Sequence, residues 1–111
     1  MPYISTKTNI ELAKDKRDAL AAKYGEIISI VPGKTERWLM LSFDGGAEMY
    51  FGGRGDEPMA YIELSLFGGT SDAVYDKLTA AVCDAVSEET GIAPSNILSL
   101  IHISEPTRPR L

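Results

Sequence analysis

The residues with the clearest chemical potential lie near the beginning of the chain, where Met1-Pro2 opens it and Gly33-Lys34 follows the first long apolar stretch. A small second residue allows Met1 to be removed during maturation, which leaves Pro2 as a free secondary amine. That nitrogen carries protons, as a proline nitrogen inside a chain does not. An ordinary α-amino group titrates near ~8. Burial or a neighbouring cation lowers that value, because both disfavour the charged form. An amine tuned towards neutrality suits general acid–base catalysis. Taken singly, each residue also has a plainer reading. Pro2 can be the tolerated first residue of a strand, and Lys34 a solvated lysine after a helix. The lone His102 invites an acid–base role. Arg54-Gly55-Asp56 spells an adhesion-type tripeptide, but loops favour Gly and Asp in any case.

Composition narrows the partners. The chain has 111 residues with 44% apolar content, enough for one domain with a real core but small enough to gain from oligomerisation. Its formal charge is -5 and it has no basic block, which argues against nucleic acid. No apolar run is long enough to span a bilayer. The N-terminus lacks the basic start and apolar stretch of a signal peptide, so the cytoplasm is the expected compartment. The single Cys83 excludes an internal disulfide and reads as a small core residue.

The elements that must position Pro2 and Lys34 follow in order. Tyr3 to Thr8 reads as a strand, and Asn9 as a cap for the next helix. From Leu20 the apolar residues Tyr24, Ile27, Ile28 and Val31 recur at helical spacing, until Val31-Pro32-Gly33 ends the helix. Trp38 to Phe43 is a strand apolar on both faces, and Glu48 to Phe51 a short strand after the Asp44-Gly45-Gly46 turn. The pattern then restarts. Met59 to Phe67 is a strand, Ser71 a cap, and Val74, Leu78, Val82 and Val86 mark a helix closed by Thr90-Gly91 with Pro94 beyond. Two strand–helix–strand units, each with parallel strands and a right-handed crossover, predict an α/β (α+β) fold. Four main strands then form one sheet with both helices on one face. The other face needs cover, most naturally from further subunits.

These residues resemble the macrophage migration inhibitory factor family of the tautomerase superfamily. The likeness is carried by Met1-Pro2, Thr8-Asn9, Gly33-Lys34, Phe51-Gly52-Gly53, Glu57-Pro58, Gly68 and Gly91-Ile92-Ala93-Pro94, in family order through residue 97. It implies a double β-α-β fold with a mixed four-stranded sheet, assembled as a homotrimer with sites between subunits. It also implies cofactor-free keto–enol tautomerisation of a small aromatic α-keto acid such as phenylpyruvate, or isomerisation of L-dopachrome. Pro2 matches the family's catalytic base and Lys34 its pocket lysine. Phe67 and Trp38 match substrate-binding positions, Phe67 through a backbone N–H expected to touch the substrate and Trp38 as an aromatic wall. Packing in the core or an interface is the other reading of Trp38. Met59-Ala60-Tyr61-Ile62 replaces a Cys-x-x-Cys pair known in the family, so no thiol–disulfide activity is expected. The alternative function is a cytokine-like or ligand-binding protein with vestigial catalysis, which could leave the cell without a signal peptide.

The C-terminal string departs from the family. Leu98 stands where a tyrosine is expected and Leu100 near an expected asparagine; both would complete a neighbour's pocket. Residues 98–111 resemble a translated sequencing-library adapter, and on that reading they replace the last native strands and deprive His102 of a catalytic role. Leu98 to Ile103 nevertheless has good β-propensity and could fill the missing strand's place, with Pro106 and Pro109 stopping any extension.

Overall fold

Alternate residues of the first strand, β1 (Tyr3–Thr8), face opposite environments, and this period of two organises the sheet. Ile4, Thr6 and Thr8 are completely buried, whereas Lys7 is exposed. The computed structural model describes residues 2–104. After β1 come α1 (Lys14–Ile27), 3₁₀ turns at Ile28–Ile30 and Glu36–Trp38, and β2 (Met40–Asp44). β3 (Ala60–Phe67), α2 (Asp72–Thr90), a third 3₁₀ turn at Pro94–Asn96 and β4 (Ile97–Ser104) complete the order.

The strands form one sheet in the order β2-β1-β3-β4. β1 runs parallel to β2, β3 parallel to β4, and the two pairs meet antiparallel between β1 and β3. This is the expected mixed sheet built from two β-α-β units. Ile4, Ile62 and Leu64 on one face pack with Leu20, Tyr24 and Ile28 from the first unit and Leu78, Val82 and Val86 from α2. Each such side chain stabilises the fold by roughly 1.5–3 kcal/mol through burial. Tyr24 ties α1 to the sheet at two points. Its hydroxyl and that of Thr6 are hydrogen-bonded at 2.8 Å, and its ring stacks on Phe43 at 6.1 Å between centroids. Burial pushes the Tyr24 phenol well above its ordinary pKa, outweighing the opposite effect of the Thr6 hydrogen bond.

The helix-end expectations hold for α2. The Val74 N–H donates to Ser71 Oγ at 3.3 Å, and Gly91 closes the helix at φ 78°, its N–H donating to the Ser87 carbonyl. For α1 the end at Val31 also holds, reached through the 3₁₀ turn Ile28–Ile30, but the start does not: α1 begins five residues past Asn9 behind Ala13, with no side-chain cap. Asn9 is instead a long-range clamp. Its Nδ2 donates to the Glu57 carbonyl and its Oδ1 accepts from the Met59 N–H, both at 2.8 Å. A cap satisfies orphan donors at a helix start, and here a distant segment supplies both a donor and an acceptor. Two strand expectations also shift. β2 begins at Met40, because Trp38 belongs to the 3₁₀ turn before it. Glu48 to Phe51 forms no strand, only a single antiparallel bridge between Phe51 and Arg54.

The sheet face away from the helices carries exposed apolar side chains, with Met40, Leu98 and Leu100 each about half exposed. Leu98 pairs with Tyr61 and Leu100 with Glu63 in the parallel β3–β4 register. No helix among the described residues is long and apolar enough to cross a membrane. Pro106 and Pro109 lie outside the described residues.

Candidate active site

Pro2 is buried where the chain enters β1, and its carbonyl accepts the Met40 N–H at 3.0 Å. The parallel β1–β2 pairing therefore brings the start of the chain beside the segment that leads into β2. That segment is a tight path. The Lys34 N–H donates to the Val31 carbonyl at 3.1 Å, and Gly33 between them takes φ 82°, a left-handed conformation that favours glycine. The 3₁₀ turn Glu36–Trp38 then carries the chain to the sheet.

Pro2, Gly33, Lys34, Thr35 and Trp38 line one recess of about 360 Å³. Three of the four residues singled out from the sequence thus come together, although Pro2 and Lys34 lie on different elements. Phe67 joins them through its carbonyl, not the N–H that the resemblance points to: the Lys34 ammonium donates to the Phe67 carbonyl at 2.7 Å. Its ring is 48% exposed at the end of β3 and does not line the recess. Gly68, at φ 88°, turns the chain away directly afterwards.

The arrangement has a definite chemical capacity. The Lys34 side chain has no carboxylate partner among the described residues, where its ammonium donates to a neutral carbonyl. An ammonium has three donors. It can keep that carbonyl and still bind an incoming carboxylate. A cation in the same recess as a proline amine also disfavours the protonated amine. Trp38 is 59% exposed and offers a flat apolar wall. Sequence reasoning missed Thr35, for which no motif exists, and Arg37, whose guanidinium carbon lies 5.1 Å from the centroid of the Trp38 ring.

The remaining candidates lie elsewhere. His102 Nε2 pairs with Glu63 Oε2 at 2.9 Å on the open face of the sheet, outside the recess. Arg54 pairs with Glu57 in an exposed loop. Cys83 is half-buried on α2, packed against the core as expected. A second recess of about 280 Å³, walled by Lys7, Met49, Tyr50, Phe51, Tyr61 and Leu98, is mostly apolar and does not include Pro2 or Lys34. Asn96 at its edge is already committed, donating to Glu57 Oε1 and the Pro58 carbonyl.

The family described as "Macrophage migration inhibitory factor (MIF)" matches residues 1–106. That span runs into the C-terminal string, so the adapter reading of residues 98–111 finds no support there. A search of curated protein sequences finds no significant match. Among solved structures, Leishmania major MIF2 is 27% identical with a TM-score of 0.86, covering 94% of this chain and 89% of that one. The Toxoplasma gondii macrophage migration inhibitory factor is 21% identical with a TM-score of 0.82, covering 98% and 95%. The protein Pt0534, solved after inactivation by 2-oxo-3-pentynoate, is 17% identical with a TM-score of 0.82, covering 98% and 91%. The latter two likenesses speak to the fold alone.

Proposed function

The chain belongs to the macrophage migration inhibitory factor family, and on that footing we propose that it is a cofactor-free keto–enol tautomerase of the phenylpyruvate or L-dopachrome type. The observation that carries this reading is the shared recess of Pro2 and Lys34, a latent secondary amine in one recess with an ammonium that has no carboxylate partner among the described residues. Removal of Met1 exposes the amine. Lys34 then binds the substrate carboxylate, and the Trp38 ring supports the aromatic end. The Pro2 nitrogen takes a proton from the carbon next to the keto group, and the electron pair of that C–H bond becomes the C=C of the enolate. The protonated amine returns the same proton to the enolate oxygen, which completes the enol and regenerates the base. The reverse order converts enol to ketone. Inactivation of Pt0534 by 2-oxo-3-pentynoate adds chemical sense, since a 2-oxo acid with a conjugated alkyne presents both a carboxylate for Lys34 and an electrophile for an amine.

We also propose a homotrimer in which the open sheet face is buried between subunits, because Met40, Leu98 and Leu100 otherwise leave apolar surface in water. Leu98 and Leu100 take the places of a tyrosine and an asparagine expected to reach a neighbour's site, so activity below that of a typical relative is expected. This replacement favours a second reading, ligand binding with vestigial catalysis. The foreign origin of residues 98–111 stays a proposal, to be tested by sequencing the gene through and beyond Ile97.

The deciding experiment follows phenylpyruvate tautomerisation with the mature chain and with Pro2→Ala. Loss of at least a hundredfold in rate is expected, in line with removal of a general base. Equal rates above background would refute the role of Pro2. Turnover absent in both, with ligand binding intact, would select the second reading. Incubation with 2-oxo-3-pentynoate should add one equivalent of mass to the mature chain and none to Pro2→Ala.

A further inference from the structure

We infer that Arg37 is a positioning residue that holds the Trp38 ring as a wall of the recess, and thereby sets a preference for flat, conjugated substrates. The inference rests on the tautomerase reading of the recess.

The backbone of the turn is fixed by its own bonds. The Trp38 N–H donates to the Thr35 carbonyl at 3.3 Å and the Leu39 N–H to the Glu36 carbonyl at 3.1 Å. The Glu36 side chain is turned back onto α1, where its carboxylate fills the space that a methyl on Gly25 would need. The Trp38 side chain has no such anchorage. It is 59% exposed, packs outside the core, and makes no hydrogen bond among the described residues. A ring in that position can turn on its rotamers unless something rests on its face. The Arg37 guanidinium does, at 5.1 Å from the centroid. Arg37 forms no ion pair with a carboxylate among the described residues, and its guanidinium rests on the ring instead. Arg37 does not itself line the recess, and bracing the ring therefore leaves the space open to ligand. A fixed indole face rewards a planar substrate by stacking and gives little to a branched aliphatic one.

The chain has a single tryptophan, so its fluorescence reports this ring alone. The test uses the full mature chain, Arg37→Ala and Arg37→Lys. In Arg37→Ala, Trp38 emission should move to the red and its anisotropy fall. KM for phenylpyruvate should rise about two- to fivefold, the worth of an exposed cation–π pair, with kcat unchanged. KM for 4-methyl-2-oxopentanoate should stay as in the parent. Both acids carry one carboxylate, so simple loss of positive charge would move both KM values together, whereas ring position moves only the aryl one. Arg37→Lys keeps a cation able to sit on the ring and should recover most of both readouts. Unchanged emission and anisotropy in Arg37→Ala, or equal KM changes for the two acids, would overturn the inference. A parent without turnover would refute the tautomerase reading instead, and the fluorescence comparison would still decide whether Arg37 holds the ring.

Discussion

Tyr24→Phe removes one oxygen from the junction that fixes α1 to the strand that follows Pro2, and its effect follows from the geometry there. The lost hydroxyl is hydrogen-bonded to Thr6 Oγ1 at 2.8 Å, and both side chains are fully buried. The Thr6 hydroxyl is left without that partner in an apolar setting, at a cost of about 1–3 kcal/mol. Stacking on Phe43 is retained, because the ring stays. Thr6→Val combined with Tyr24→Phe removes both polar groups, and should be clearly more stable than the sum of the two single changes predicts. The phenol adds a pH dependence. Burial holds it protonated in the folded chain above its ordinary pKa of about 10. The unfolded chain ionises near that value, so above it the folded state binds more protons than the unfolded one. Stability is therefore whole below about pH 10 and falls at higher pH, with a slope of up to ~1.4 kcal/mol per unit. Tyr24→Phe lacks this slope. Urea unfolding at pH 7 and at pH 10–11, at one protein concentration, measures both effects. A pH 7 loss under ~0.5 kcal/mol, additive single changes, or an unaltered alkaline slope would refute the reasoning.

Three further outcomes are expected. Lys34→Met removes the charge-assisted bond proposed for the substrate carboxylate, worth ~1.5–3 kcal/mol, and should raise KM for phenylpyruvate roughly ten- to a hundredfold; a melting curve like the parent's would show that the half-buried side chain acts on binding rather than on the fold. Asn9→Ala deletes the two 2.8 Å bonds to Glu57 and Met59 and should cost about 1–3 kcal/mol by denaturant unfolding, whereas a helix cap missing from α1 would show as lost helical circular dichroism instead. Gly91→Ala meets no atom within 4 Å, so its cost of ~1–2 kcal/mol comes only from the φ of 78°, and chemical denaturation should show it without any change in tautomerase KM.

How far the sequence can be read depends on the range over which each signal acts. The α2 boundaries were legible because Ser71 and Gly91 act on their own helix ends, within a few residues. The buried face of β3 was legible for the same reason, since alternation is a local consequence of the pleat. Asn9 misled because its residue type suits a cap, while its partners come from residues 57 and 59, a separation no local rule can span. Trp38 misled because an apolar run does not distinguish a strand from the turn leading into it. The Phe51–Arg54 bridge replaced a strand where glycines at 52 and 53 let the chain double back at once.

By itself the sequence determined the two β-α-β units, the chemistry available to Pro2 and Lys34, and the family, because type, order and spacing carry these. Only the tertiary structure decided that Pro2, Lys34 and Trp38 share one recess, that Phe67 enters through its carbonyl, and that His102 stays outside. Those outcomes depend on parallel pairing of β1 with β2 and on the path of the backbone after Val31. The same tertiary arrangement set Arg37 on the Trp38 ring, a contact between neighbours in sequence whose direction is fixed only by the turn that holds them.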